Sequence, residues 1–405
     1  MTNPKVSPGA WPEQFVTASD GTTSAWFGLG AALSGNTAFI AAKNANVGGH
    51  AGQGAVYVFQ NLHGVWTQTA KLVASDGAAG DQFGTAIALK GANAVITAPL
   101  AKVNGKTWQG AAYVFSLAGG VWKETTKLVA GHGTAFETFG MSASFNATSL
   151  FIGAGGVNQG GVFLRRLVYV FRTAADSHQT HWIECQTLDA PDQADPTSSF
   201  GTSIALDDTF ALIGARSSTV SGVPGKGEVY VYSQISGSWL LTGKIVADDG
   251  AARDNFGASV ALDGMNAFIA APGATIDGKV SQGAVYHFQL SDGIWSQAEK
   301  ILAKDGEAFS LFGASLSVSG SLALVSAYAM HNYVGAAYVY RQVAGQWVLL
   351  QKLVASNGVP GDVFGYFSVI DGSTAMVGAY SRDVSGRVDQ GAAYFYAGPA
   401  IGPHA

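Results

Sequence analysis

The dipeptide Phe-Gly recurs seven times, beginning at Phe27, Phe83, Phe139, Phe200, Phe256, Phe312 and Phe364, at intervals of 56, 56, 61, 56, 56 and 52 residues. A self-similar period of this length constrains the fold strongly. Each copy must be one supersecondary unit that buries its apolar surface against the next. Length alone, at roughly 150 residues per domain, would suggest two or three domains. The repeat overrides that expectation, because it runs unbroken from about residue 11 to residue 396, and it predicts a single domain over residues 1–405.

Aligned on Phe-Gly, every unit resolves into four short segments. An alternating run such as Thr85-Ala86-Ile87-Ala88-Leu89 follows the pair and reads as a strand packed against a crowded neighbour. A tight polar turn comes next, as in Ser34-Gly35-Asn36 or Asp371-Gly372-Ser373. The second strand ends 14 positions after the Phe in a small-residue step, such as Ala41-Ala42, Gly214-Ala215 or Ala270-Ala271-Pro272. A glycine-rich loop leads to a third strand carrying Tyr57, Tyr113, Tyr169, Tyr230, Tyr286, Tyr338 or Tyr394. The fourth opens at Trp66, Trp122, Trp182, Trp239, Trp295 or Trp347, with lysine five positions later in five of the six. Four antiparallel strands per unit make the blade of a β-propeller, and seven units make a seven-bladed, all-β ring. The blade that begins near residue 364 has no fourth strand after Tyr394, whereas Trp11 precedes Phe27 by 16 residues, much as Trp66 precedes Phe83 by 17. Residues 11–18 are therefore expected to complete the last blade, leaving no exposed strand edge at the seam.

Composition narrows the function classes. Charged residues make up only 12% of the chain, against 48% apolar, which suits many buried strands and not a disordered scaffold. The formal net charge is −5 and no basic stripe interleaves with aromatics, which argues against a nucleic-acid partner. No run of 18 apolar residues exists, so no membrane span is expected. Met1 to Trp11 holds one lysine and no apolar run, so no secretory signal is visible. Cys185 is the single cysteine, which excludes an intramolecular disulfide and is compatible with a reducing compartment.

These motifs resemble the FG-GAP repeat, the unit of the seven-bladed head of integrin α subunits: Phe-Gly before the first strand and Gly-Ala or Ala-Pro after the second, as in Thr97-Ala98-Pro99. The resemblance covers nearly the whole chain. It implies a secreted or cell-surface setting and recognition through the loop face, although a fold hosts sites without defining them. Several integrin blades carry an aspartate-rich calcium loop between strands one and two. Here that connection is a tight turn, for example Lys90-Gly91-Ala92-Asn93 or Ser319-Gly320-Ser321, and offers at most the pair Asp207 and Asp208. Calcium takes six to eight oxygen ligands, so no metal and no cofactor is expected.

Three groups of residues are open to functional readings. The pattern Asp-Gly-x3-Asp-x-Phe-Gly, complete at Asp76/Asp81 and Asp249/Asp254 and partial at Asp20, Asp305 and Asp362, could supply acid–base pairs or metal ligands. Its recurrence favours turn-shaping by capped backbone N–H groups. The repeated Trp could be sugar-stacking platforms of a multivalent lectin, or packing between outer strands and lysine stems. The third unit replaces Gly-Ala-Ala with Leu164-Arg165-Arg166, and its strand three-to-four connection, four residues longer than elsewhere, holds His178, His181, Glu184 and Cys185. That spacing is weak for zinc and reads first as a polar loop.

Non-repeated residues on the loops between strands two and three, and before Phe-Gly, are the better place for function. Trp26, His50, Trp108, Arg216, His331, Tyr333, Arg382, Asp383 and Arg387 are the expected partner-binding set, being largely of types enriched at interaction hot spots. No nucleophile elbow, phosphate loop or metalloprotease helix is present, and Gly153-Ala154-Gly155-Gly156 leads into no helix. The expectation is a non-catalytic binding module for a protein partner. The alternatives are a carbohydrate-binding propeller and, less favoured, a polysaccharide-acting enzyme.

Overall fold

A computed structural model describes residues 11–156, 160–161, 164–175, 180–191 and 198–399. It contains seven four-stranded antiparallel sheets. The first blade comprises Phe27–Ser34, Thr37–Ala42, Ala55–Leu62 and Val65–Leu72. Innermost strands of successive blades touch in sequence, and that of the first touches Phe364–Asp371 of the seventh, which closes the ring. The seventh blade takes its outer strand from the other end of the chain: Glu13–Val16 pairs antiparallel with Ala392–Ala397, Glu13 opposite Tyr396 and Val16 opposite Ala393.

Burial grades outward across each blade. Second strands such as Asn93–Ala98 lie between neighbouring sheets and bury five successive residues. Both faces are covered there, so the sequence is a continuous apolar run instead of an alternating one. Outer strands such as Val121–Leu128 face solvent on one side, and they alternate, with Trp122 and Leu128 turned in. The Phe-Gly step forms a local irregularity at the innermost strand. In four blades regular pairing starts only three or four residues after the Phe, as at Ile87–Lys90, because Gly84 (φ +100°) and Thr85 both donate to the Thr97 carbonyl. The Phe rings themselves are fully buried, edge-on to the third-strand tyrosine of their own blade at 5.4–5.6 Å.

Consecutive blades are stitched in three ways. Phe139 N donates to Gln109 O, and a Cβ at Gly110 (φ +90°) would sit 2.1 Å from the Phe139 carbonyl oxygen, so only glycine permits this approach. The repeated Trp reach across: Trp122, Trp239, Trp295 and Trp347 meet Phe39, Phe151, Phe210 and Phe268 of the preceding blade edge-on, and Trp66 stacks on Phe395 at 4.2 Å. Outer-strand carboxylates clamp the turn of the blade before them. Glu124 accepts from Ser75 N and Oγ, Glu13 from Ser356 N and Oγ, and Glu184 from Gly131 N.

Candidate functional site

The repeated aspartates are structural. Asp76 accepts from Tyr113 Oη at 2.8 Å and pairs with Lys127, whose ammonium also lies 5.4 Å from the Tyr113 ring centre. Asp20, Asp249 and Asp305 hold Tyr57, Tyr286 and Tyr338 in the same way. The second aspartate of the pattern caps the turn, with Ala78 N donating to Asp81 and Ala251 N to Asp254. Most of the repeated Trp are packed as well: Trp66, Trp122, Trp239 and Trp347 are 6%, 8%, 2% and 5% exposed, which leaves those four no free indole face for a pyranose, whereas Trp182 and Trp295 are half-buried. In the third blade, His181, Glu184 and Cys185 lie within the outer strand Thr180–Asp189 and not in a connection, and Glu184 is the inter-blade clamp just described. His178 lies outside the described residues. Among the described residues no cluster of three or more His, Cys, Asp or Glu could hold a metal ion.

A cavity of about 850 Å³ opens along the axis, between the innermost strands and the ends of the second strands. Its composition follows from one register position, the residue two beyond the small-residue step of each blade's Phe+14 alignment. That position holds Lys43, Pro99, Gly155, Arg216, Pro272, Tyr328 and Tyr380 around the ring. Lys43, Arg216 and Tyr328 line the cavity, together with Arg253 and with Tyr366 of the innermost strand of the seventh blade. Among the described lining residues there is no carboxylate, histidine or cysteine.

Two arcs meet at this mouth. The aromatic arc runs Trp26–Tyr380–Tyr366–Tyr328–Tyr333, with successive ring centres 6.0, 4.9, 5.2 and 6.3 Å apart. The cationic arc is Lys43, Arg166, Arg216 and Arg253. Lys43 lies 5.6 Å from the Trp26 ring centre, and burial pulls its pKa below the usual lysine value. Arg166 is pulled down by burial and then by the Arg216 charge, and its buried Nε has no hydrogen-bond partner. Among the described residues none of these four cations forms an ion pair.

The loop between strands two and three of the sixth blade, four residues shorter than most, shapes the aromatic arc. There His331, Asn332 and Tyr333 form a left-handed turn with φ of 51°, 58° and 64°. Three consecutive non-glycine residues in that region are strained, and strain of this kind concentrates at functional sites. In five other blades the same loop is tied by a short backbone bridge, such as Val47–His50 or Val384–Arg387.

Of the residues singled out from sequence, Arg216 lines the mouth, and Trp26 and Tyr333 adjoin it through contacts with Lys43 and Tyr328. His331 stands beside them, paired with Glu307 at 2.7 Å. The others are dispersed along the rim loops. His50 Nδ1 is 3.1 Å from Gly77 O, and exposed Trp108 packs edge-on to Phe136. Arg382 is committed to the buried Asp362 at 2.6 Å, Asp383 accepts from Asp389 N, and Arg387 donates to Gln390. Lys43, Arg166, Arg253, Tyr328, Tyr366 and Tyr380 were missed. For three of them the signal was present: the position after each small-residue step varies in chemistry while its neighbours repeat.

A closed seven-bladed ring with varied loop chemistry around an axial mouth defines a β-propeller, a fold consistent with a binding module. The sequence model of the FG-GAP repeat matches residues 12–59, 66–115, 182–232, 239–288, 295–340 and 347–396, and the chain belongs to that family. The matches skip the unit that ends in the third blade, where Arg165 and Arg166 replace the glycine-alanine motif. No curated protein matches the chain in sequence. The integrin head is an analogy of architecture. Among the described residues no helix is long and apolar enough to cross a membrane.

Proposed function

We propose that the protein is a non-catalytic recognition module that engages a protein partner through its loop face, centred on the axial mouth. The carrying observation is that Arg216, Tyr328 and Tyr366, none of which the ring requires, line one cavity, with Tyr333 packed on Tyr328 and Trp26 on Tyr380 beside it. Aromatic and arginine side chains exposed around a concavity are the usual anchors of protein recognition. The described lining also lacks the titratable pairs on which acid–base or nucleophilic catalysis depends. Burial of Trp66, Trp122, Trp239 and Trp347 argues against an equivalent stacking site in every blade, which a multivalent lectin reading calls for.

The test is quantitative affinity capture with the native protein, a Tyr333→Ala/Trp108→Ala variant of the loop face, and a Val65→Ala/Ile294→Ala variant of the outer strands. A partner retained by the native and outer-strand proteins but lost from the loop-face variant supports the reading. A glycan array that gives clear binding, with no loop-face-dependent protein partner, replaces it with carbohydrate recognition.

A further inference from the structure

We propose that the axial mouth is an anion socket that receives an acidic segment of a protein partner, its carboxylates held by Arg216, Arg253 and Lys43 and its apolar side chains laid against the tyrosine arc. This deepens the reading above and rests on it. The chain carries a net charge of −5, yet the described lining of the cavity holds three cations and no carboxylate, so its polarity opposes that of the molecule. A cleft lined by one sign of charge concentrates counter-charged ligands and speeds their capture. Arg216 and Arg253 are exposed and, among the described residues, form no ion pair, leaving both guanidinium forks available for two-point hydrogen bonding to carboxylates. The neighbouring Arg166 and Arg216 repel one another, and an anion between them would relieve that cost.

The aromatic side of the socket distinguishes the kind of anion. Neighbouring rings are turned against each other, at 69° for Trp26–Tyr380, 75° for Tyr366–Tyr380 and 55° for Tyr328–Tyr366. Such a wall offers no run of coplanar platforms for consecutive pyranose rings. It suits irregular aliphatic and aromatic side chains, which accept edge and face contacts alike. A volume of about 850 Å³ admits a projecting loop or chain terminus and excludes a folded surface.

The test uses fluorescence anisotropy with the full-length protein and labelled octapeptides of alternating Glu and Leu, Gln and Leu, or Lys and Leu. The acidic peptide is expected to bind and to weaken as salt rises, with the other two at least about tenfold weaker. In an Arg216→Glu/Arg253→Glu protein the preference should reverse toward the Lys peptide, an outcome that loss of structure cannot mimic. An Arg216→Gln/Arg253→Gln protein with an unchanged melting point should bind neither charged peptide well. Equal affinity for the acidic and neutral peptides, or acidic binding untouched by the double substitutions, overturns the socket. So does a sulfated oligosaccharide that binds through the same arginines when no peptide does. Capture of a partner that depends on Tyr333 and Trp108 but not on Arg216 would sink the socket alone. Capture independent of every loop-face residue would sink the recognition reading as well.

Discussion

Lys127 serves three ends at once, neutralising Asp76, covering the Tyr113 ring and spanning the outer strand to the turn before Phe83. The consequences appear on titration. Burial opposes ionisation of Asp20, Asp76, Asp249 and Asp305, but hydrogen bonds from the paired lysine and tyrosine, with the lysine charge, outweigh it and hold all four below the ordinary aspartate value. A carboxylate held low only in the folded state stabilises that state above its unfolded pKa. The contribution is lost as pH falls through the folded value. Burial instead raises Asp81 and Asp254, which makes their protonation favour the fold. An Asp20→Asn/Asp76→Asn/Asp249→Asn/Asp305→Asn protein should therefore be less stable at neutral pH and lose less on acidification below about pH 4. Urea midpoints across that range check this, and an acid limb as steep as the native one would refute it.

The tyrosines give the alkaline counterpart. Burial first, then the aspartate hydrogen bond, holds Tyr57, Tyr113, Tyr286 and Tyr338 far above the usual phenol value, and burial alone pushes Tyr232 up to about 12. Groups raised in the fold stabilise it below their unfolded pKa, about 10 for tyrosine, and that stability is lost as pH rises beyond it. Absorbance at 295 nm should show most of the phenols ionising in one cooperative step with unfolding. A smooth titration of all of them near the ordinary value would contradict the network.

Among elements, the outer strands contribute more than their exposure suggests, because each donates an indole to the neighbouring blade. Truncating Trp122 removes a buried ring packed on Phe39 and should cost about 3–5 kcal/mol. Val121→Ala, on the exposed face of the same strand, should stay within about 0.5 kcal/mol. Equilibrium denaturation of the two variants checks the contrast. The four-strand blade, the closing strand and the blade count were legible, since period-2 alternation, turn residues and aromatic spacing are local signals repeated seven times, whereas some boundaries were not: Thr85 and Ala86 precede the strand Ile87–Lys90, and His181 to Cys185 lie within the strand Thr180–Asp189. The site was only partly legible. Tyr366 reads as one more strand residue, and Arg166 as a defect in a motif. Only the closed ring brings the ends of seven second strands around one axis, and sequence spacing carries no record of that convergence. His331 and Tyr333 stood out from sequence, but their left-handed turn depends on how the shortened loop packs.

At the scale of the molecule, stability is shared between nearest neighbours, and the ring removes the two free ends that a linear array would have. The closing strand is therefore expected to matter everywhere. Deleting residues 1–20 removes the Glu13–Val16 ladder, the Glu13 clamp on Ser356 and the Trp11 ring packed beside Gly398. Hydrogen exchange should then rise in all seven blades together. Faster exchange confined to Ala392–Ala397 and its sheet would mean that the blades open independently.

Ala397 N donates to Pro12 O, so the two strands of the seam meet as the turn of a hairpin would join them. Bridging them with a short turn would leave a ring in which that junction resembles the third-to-fourth-strand turns of the other blades. New ends could then be cut at any of those turns, Gly119-Gly120 for example, and each such permutant would again mend one blade from both of its termini. The seam is thus a movable property of the circle, and the axial mouth, between the innermost strands and the ends of the second strands, is untouched by where it is placed.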